Sequence, residues 1–205
     1  MIMDKFESSH LTQAPRLLVF SASLRSGSIN TRLARYAVKH LERLGAQVDY
    51  AAFREFDAPS YDQDVEDSAG IPAPAREFHR RFTASDGVVI VSPEYNASFP
   101  GSLKNALDWL SRFKPNPFAG RYGLLMSASN SLIGGNRGLW SLRIPLEKLG
   151  LRVFPDMFSL AQADQAWSAD ETLRDPALQT MFERMLSDYV ALVEAAKNYQ
   201  RQPQP

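Results

Sequence analysis

Short apolar runs alternate with helix-spaced leucine stripes along most of the chain. The first run is Leu17, Leu18, Val19 and Phe20. A continuous apolar run this short, bounded by polar turns, predicts a strand buried on both faces, as in a parallel sheet. Leu33, Ala34, Ala37, Val38, Leu41 and Leu44 then recur at helical spacing, with Gly45 placed to cap the helix at its C-terminus. Gln47 to Ala52 predicts a second strand, Pro74 to Ser85 a second helix, and Gly87 to Val91 (GVVIV) the clearest strand of all. A helix carrying Leu103, Ala106, Leu107 and Leu110 precedes a fourth strand from Tyr122 to Met126. Leu139, Leu142, Leu146 and Leu149 mark a fourth helix, with Pro145 inside it. A short fifth strand spans Arg152 to Phe154, and the last helix starts at Asp175-Pro176, an N-cap followed by proline.

This β-α unit repeats five times, which predicts a three-layer α/β sandwich around a parallel sheet with right-handed crossovers. Five strands and five helices suit the strand order 2-1-3-4-5. In such sheets ligands bind beyond the carboxyl ends of the strands, near the switch between the first and third. The turns after strands 1, 3 and 4 are therefore where chemistry is expected. A single domain over residues 16–199 is expected, with flexible tails at 1–15 and 200–205, which carry no apolar pattern.

Composition narrows the function classes. Lys plus Arg is 23 and Asp plus Glu is 23, so the formal net charge is zero. That argues against a nucleic-acid partner held by a broad positive field. The chain has no cysteine, which excludes disulfides, a thiol nucleophile, thiolate zinc sites and Cys-ligated iron–sulfur clusters. It also fits a reducing, cytoplasmic setting. His10, His40 and His79 are the only histidines, they are far apart, and no metal site is expected from them. No apolar run approaches the roughly 18 residues of a spanning helix, and no secretory h-region is visible, so no membrane partner is expected. The acidic residues Asp57, Asp62, Asp64, Glu66 and Asp67 read as a solvated connector, because an EF-hand needs glycine where Asp67 stands.

The turn after strand 1, Ser21 to Asn30, holds four serines, one arginine and one asparagine directly before a helix. A helix start offers free N–H groups and a positive dipole end, and hydroxyls with one guanidinium add donors for a dianion. A phosphate cradle and a plain connector with Ser28 or Asn30 as N-cap are both open from this turn alone. The turn after strand 3, Ser92 to Gly101, ends its strand at Pro93 and exposes backbone amides that suit the edge of a planar heterocycle, while a turn-and-cap sequence with no ligand is equally open from this segment alone. Ser98 is expected to cap the next helix, with Pro100 in its first turn. The turn after strand 4, Ser127 to Asn136, reads by itself as a flexible loop.

Two motifs carry a resemblance. S-L-R-x-x-S-x-N at positions 23–30 and P-E-Y-N-x-S-x-P-G-x-L-K-N-A-x-D-W at positions 93–109 resemble the NAD(P)H-dependent FMN reductase family, flavodoxin-like quinone, azo-dye and chromate reductases. The likeness runs through Ile133-Gly134-Gly135 and spans roughly residues 16–195. It implies bound FMN, with Ser23, Arg25, Ser28 and Asn30 on its phosphate, Pro93, Glu94, Tyr95 and Asn96 at its isoalloxazine edge, and Ala128 and Ser129 at a third contact. It further implies NADPH or NADH as co-substrate and a hydride passed to FMN and on, by a ping-pong route, to a quinone, azo compound, free flavin or metal oxyanion. The flavin carries the chemistry, so no catalytic side chain is named. A homodimer or homotetramer is implied as well, and Trp109 is the residue expected at its interface.

Two positions depart from the family pattern: Ala22 stands where glycine is usual and could crowd the turn, and Pro145 is expected to kink or break its helix near Leu142. Two other function classes fit the sequence less well. A non-catalytic flavodoxin-type electron carrier is usually strongly acidic, and this chain is neutral. A Ser-His-Asp hydrolase would need a G-x-S-x-G elbow, which is missing, and His79 sits on an amphipathic helix where packing or solvation is expected.

Overall fold

The computed structural model describes residues 13–201. Most of the two expected tails lies outside this range. Five strands, β1 (Arg16–Ser21), β2 (Gln47–Ala52), β3 (Gly87–Val91), β4 (Tyr122–Ala128) and β5 (Arg152–Leu160), form one parallel sheet in the order β2-β1-β3-β4-β5. The helices are α1 (Ile29–Arg43), α2 (Gln63–Ala69), α3 (Ala73–Thr83), α4 (Gly101–Leu110), α5 (Asn136–Leu149) and α6 (Pro176–Arg201). The expected three-layer architecture and strand order are both present.

Period-two alternation sorts the strand residues between the two faces. Leu17, Val19, Val89, Val91, Leu124 and Met126 face the layer of α1 and α6. Leu18, Phe20, Val88, Ile90 and Leu125 face the layer of α3, α4 and α5. Because both faces are covered, β1 and β3 read as unbroken apolar runs rather than alternating ones. Ala22, whose methyl was expected to crowd the first turn, is 1% exposed and packs in the second of these layers beside Phe20.

Helix ends follow local chemistry. After α1, Gly45 takes a left-handed φ of 87°. Its N–H donates to Glu42 O at 3.0 Å and that of Ala46 to Leu41 O at 3.0 Å, the paired bonds of a Schellman stop. Asp62 caps α2 by accepting the Asp64 N–H at 2.9 Å. That helix lies inside the stretch expected to be a solvated loop, and Glu66 on it binds the Arg112 guanidinium.

Four other expectations are corrected. Ser98 does not cap α4, which starts at Gly101 with Pro100 as its N-cap; Ser98 instead closes a tight turn with Tyr95. Of the kink or break expected in α5 near Leu142, the break does not occur, because the helix is continuous from Asn136 to Leu149. Leu142 and Leu146, both fully buried, pin the helix to the sheet on either side of Pro145. Burying each leucine contributes about 1.5–3 kcal/mol, enough to offset the roughly 3 kcal/mol cost of an interior proline. β5 is nine residues rather than three. Its register against β4 shifts between Gly123 and Leu125, where Pro155 sits, and an edge strand tolerates a proline at such an irregularity. Trp109 is 0% exposed, so it is not an interface residue. Its indole N–H donates to Pro59 O at 2.7 Å and its ring meets Tyr61 edge-on.

Candidate functional site

The strands leave the sheet side by side. Just past the ladders, Ala22 N–H donates to Val91 O at 2.9 Å and Ser92 N–H to Met126 O at 2.8 Å. The turns after β1, β3 and β4 are thereby stitched into one rim. A cavity of about 230 Å³ opens between them. The first turn contributes Ser23, Arg25, Ser28 and Asn30 to its lining, the second Pro93, Glu94 and Tyr95, and the third Ala128 and Ser129. Asn96, the tenth residue singled out from the sequence, is not part of that lining. Ile29 and Asn130 line the cavity and were not anticipated, since neither type stands out from its neighbours.

The donors of the first turn suit an anion. α1 starts at Ile29, and its first intrahelical bond runs from Arg32 N–H to Ser28 O at 3.1 Å. The N–H groups of Ile29, Asn30 and Thr31 precede that bond and are the free donors of the helix start. Ser28 is the N-cap residue, yet its hydroxyl makes no capping bond. The first turn of α1 carries no acidic residue. The Arg25 guanidinium is exposed and has no ion-pair partner among the described residues. Hydroxyls, backbone N–H groups and one unpaired guanidinium together fit a phosphate dianion.

Asn30 contributes differently from its neighbours. Its side-chain amide donates to Ala128 O at 2.9 Å and accepts from Ala128 N–H at 2.9 Å. This two-way clasp fixes the start of α1 against the end of β4. What Asn30 presents to the cavity is its backbone.

The second turn is built around a strained pair. Tyr95 and Ser98 exchange backbone bonds, Tyr95 N–H to Ser98 O at 2.8 Å and Ser98 N–H to Tyr95 O at 3.0 Å. Asn96 and Ala97 between them both have positive φ, 52° and 61°. That pattern is the primed turn that favours Asn-Gly. It leaves the Tyr95 ring 53% exposed at the mouth of the cavity, free to cover a planar group. Glu94 is the sole carboxylate lining the cavity, and Gly138 N–H donates to it at 2.9 Å in the first turn of α5. That contact satisfies an orphan donor of α5 and occupies the charge there.

The third turn is held from behind. Ser129 N–H donates to Leu160 O at 3.0 Å, and Ala163 N–H to Ser129 O at 3.1 Å. Gly135, with φ 84°, caps α5 where an added Cβ would sit on Ser127 Oγ. The glycines are thus needed for close packing of this turn against β4 and β5. No group of three or more potential metal ligands exists among the described residues. His79 stacks on Phe113 at 3.9 Å, and burial lowers its pKa, which is a packing role.

The sequence matches the family model described as NADPH-dependent FMN reductase over residues 15–165. It is 40% identical to a quinone reductase of Escherichia coli over 134 residues, 65% of this chain and 70% of that one. A probable NADPH:quinone oxidoreductase of rice, Oryza sativa subsp. japonica, is 35% identical over 185 residues, 88% of this chain and 89% of its own. Among solved structures, the flavoenzyme NAD(P)H:(acceptor) oxidoreductase of Paracoccus denitrificans superposes with a TM-score of 0.76 at 25% identity, covering 89% of this chain and 99% of its own. An azoreductase of Bacillus anthracis, at 13% identity and a TM-score of 0.59, shares the fold. A donor-rich cradle at the switch point of a 2-1-3-4-5 sheet and a family match over most of the chain agree: this protein is a member of the NADPH-dependent FMN reductase family.

Proposed function

We propose that the chain holds FMN in the cavity between the three turns and uses NAD(P)H to reduce a small-molecule acceptor, by a ping-pong route at one shared site. The acceptor classes are a quinone, an azo compound, free flavin or a metal oxyanion. The FMN, when bound, supplies the hydride chemistry between the two substrates. The protein's part is to bind, orient and exclude. Ser23, Ser28 and Arg25, with the backbone N–H groups of Ile29 and Asn30, hold the phosphate. The backbone of Pro93 to Tyr95 borders the ring system and the Tyr95 ring flanks it. Ala128 and Ser129 form the wall opposite, where small side chains permit close approach. Asn96 shapes the turn rather than touching the ring.

One observation supports the reading: nine of the expected residues, from three separate turns, line a single cavity, and the Ser28 hydroxyl at the start of α1 makes no capping bond. A flavodoxin-type carrier would use the same cradle, so the decisive test is chemical. The purified protein is expected to show flavin absorption bands that bleach on anaerobic addition of NADPH without any partner enzyme. A yellow protein that stays yellow would make it a carrier. Fully buried Trp109 leaves the proposed homodimer or homotetramer to another surface. Trp140, 58% exposed, and Ile144, 72% exposed, lie one turn apart on α5, and Leu132 and Ile133 of the β4–α5 turn are exposed as well. Light scattering is expected to give a mass of two or four chains, and a mass of one chain would reject the assembly. No helix among the described residues is long and apolar enough to cross a membrane. A cytoplasmic location is part of the same proposal.

A further inference from the structure

The turn after β3 rests directly on the start of α5. Gly138 and Ser141, three residues apart, share one face of that helix, and Gly135 caps it just before them. Glu94 lies in the slot that the two glycines leave. A Cβ added at Gly138 would stand 3.1 Å from Glu94 Cβ, 3.2 Å from Glu94 Cα and 3.2 Å from Ser98 O. One added at Gly135 would stand 3.6 Å from Glu94 Cβ. Backbone as well as side chain of the turn is therefore in contact with the helix.

Two polar ties cross this contact. Gly138 N–H donates to Glu94 Oε2 at 2.9 Å. Ser141 O–H donates to Gly138 O at 2.9 Å, which leaves the Ser98 hydroxyl to donate to Ser141 Oγ at 3.2 Å. Between Glu94 and Ser98 lie Tyr95 and the left-handed pair Asn96 and Ala97. Such a pair is strained and persists only where its surroundings determine it. Ties at both ends of the turn supply that determination.

Glu94 lines the cavity, yet its carboxylate is directed to α5. A helix start offers free N–H groups and a positive dipole end, which suit a carboxylate. Aimed at the flavin instead, the same group would oppose the negative charge that a hydride brings to the ring. We propose that Glu94 is a positioning residue: its side chain is a peg set into α5 that fixes where the backbone of Pro93, Glu94 and Tyr95 borders the flavin ring, and it is not itself a ligand of the flavin. This inference rests on the proposed FMN site and deepens it.

Fluorescence titration of the apoprotein with FMN and, separately, with riboflavin tests the role, because riboflavin carries the same ring without the phosphate. Glu94→Ala is expected to weaken both flavins roughly tenfold, the effect of losing one charge-assisted bond and the placement it enforces. The ratio of the two affinities is expected to stay within about twofold of wild type, since the phosphate turn is untouched. Glu94→Gln keeps an oxygen acceptor for Gly138 N–H at the same reach and is expected to recover most of the loss.

Backbone amide exchange, read by NMR on the apoprotein, follows the turn without any flavin. Exchange at Tyr95 and Ser98 is expected to quicken roughly tenfold in Glu94→Ala and to stay slow in Glu94→Gln, with β3 protected in both. Ser141→Ala removes the second tie from outside the cavity and adds no bulk, so the same two amides are expected to exchange faster there even if Glu94→Ala fails to fold. Unchanged flavin affinity in Glu94→Ala, a loss confined to FMN, or amide exchange unmoved by Glu94→Ala and Ser141→Ala would overturn the inference. So would a Glu94→Gln protein as weak as Glu94→Ala, because the charge itself would then be the contact. If the wild-type protein bound neither flavin, the proposed function would fail, while the exchange rates would still decide whether α5 holds the turn.

Discussion

At the scale of single residues, the site depends on groups left without protein partners, and two substitutions read that directly. Arg25 is the one cation of the flavin cradle, and a charge-assisted bond is worth about 1.5–3 kcal/mol. Arg25→Ala is expected to weaken FMN binding roughly ten- to hundredfold in a fluorescence titration of the apoprotein. Unchanged affinity would remove the phosphate from this turn. Ala97 is a different case, exposed and held at φ 61°. A left-handed conformation costs a non-glycine residue about 1–2 kcal/mol, part of which glycine returns as chain entropy. Ala97→Gly is therefore expected to stabilise the fold by about 1 kcal/mol and to raise Tm by ~2–4 °C in a thermal melt. The lining residues of the first turn were legible through the family resemblance, since the turn by itself also reads as a plain connector. The role of Asn30 was not, because its clasp with Ala128 joins residues 98 positions apart. Nor was the burial of Trp109, whose acceptor, Pro59 O, lies 50 positions away.

At the scale of elements, what the chain pattern conveyed was the buried part. β3 has the bounds that its apolar run predicts, between Asp86 and Ser92, and β2 has its expected bounds although only Ala51 in it is buried. β5 was read short because Pro155 interrupts its pattern, and only the pairing with β4 shows that the strand resumes beyond it. α2 was read as loop because it has no buried residue to give it a stripe. Close approach makes its own demands. Gly135→Ala would place a methyl on Ser127 Oγ at a left-handed position, so a loss of about 2–4 kcal/mol is expected from denaturant unfolding. α6 is tied to the sheet through Tyr189, whose hydroxyl lies 3.0 Å from both Val88 O and Tyr122 O. Gly87 makes room for it, since a Cβ there would meet that hydroxyl at 2.6 Å. Burial drives the Tyr189 pKa far above the usual phenol range. The folded state thus keeps a proton that the unfolded chain releases above pH about 10. Stability is full below that pH and falls as pH rises beyond it, by about 1.4 kcal/mol per unit for one such group. Urea midpoints between pH 9 and 11.5 are expected to drop more steeply for the wild type than for Tyr189→Phe, and parallel profiles would count against the assignment.

At the scale of the whole molecule, the fold and the site have one cause. A sheet whose order reverses between β1 and β3 must leave a crevice at their carboxyl ends, and three turns of small and hydroxylated residues fill its rim with donors instead of bulk. The chain's overall neutrality says nothing of that rim, since its one cation, Arg25, sits in the turn before α1. The central claim is that this rim holds one FMN per chain. The most direct measurement is the absorption spectrum of the purified protein before and after incubation with FMN and removal of the excess. The account predicts flavin bands at one equivalent per chain. A preparation that stays colourless after reconstitution would contradict it.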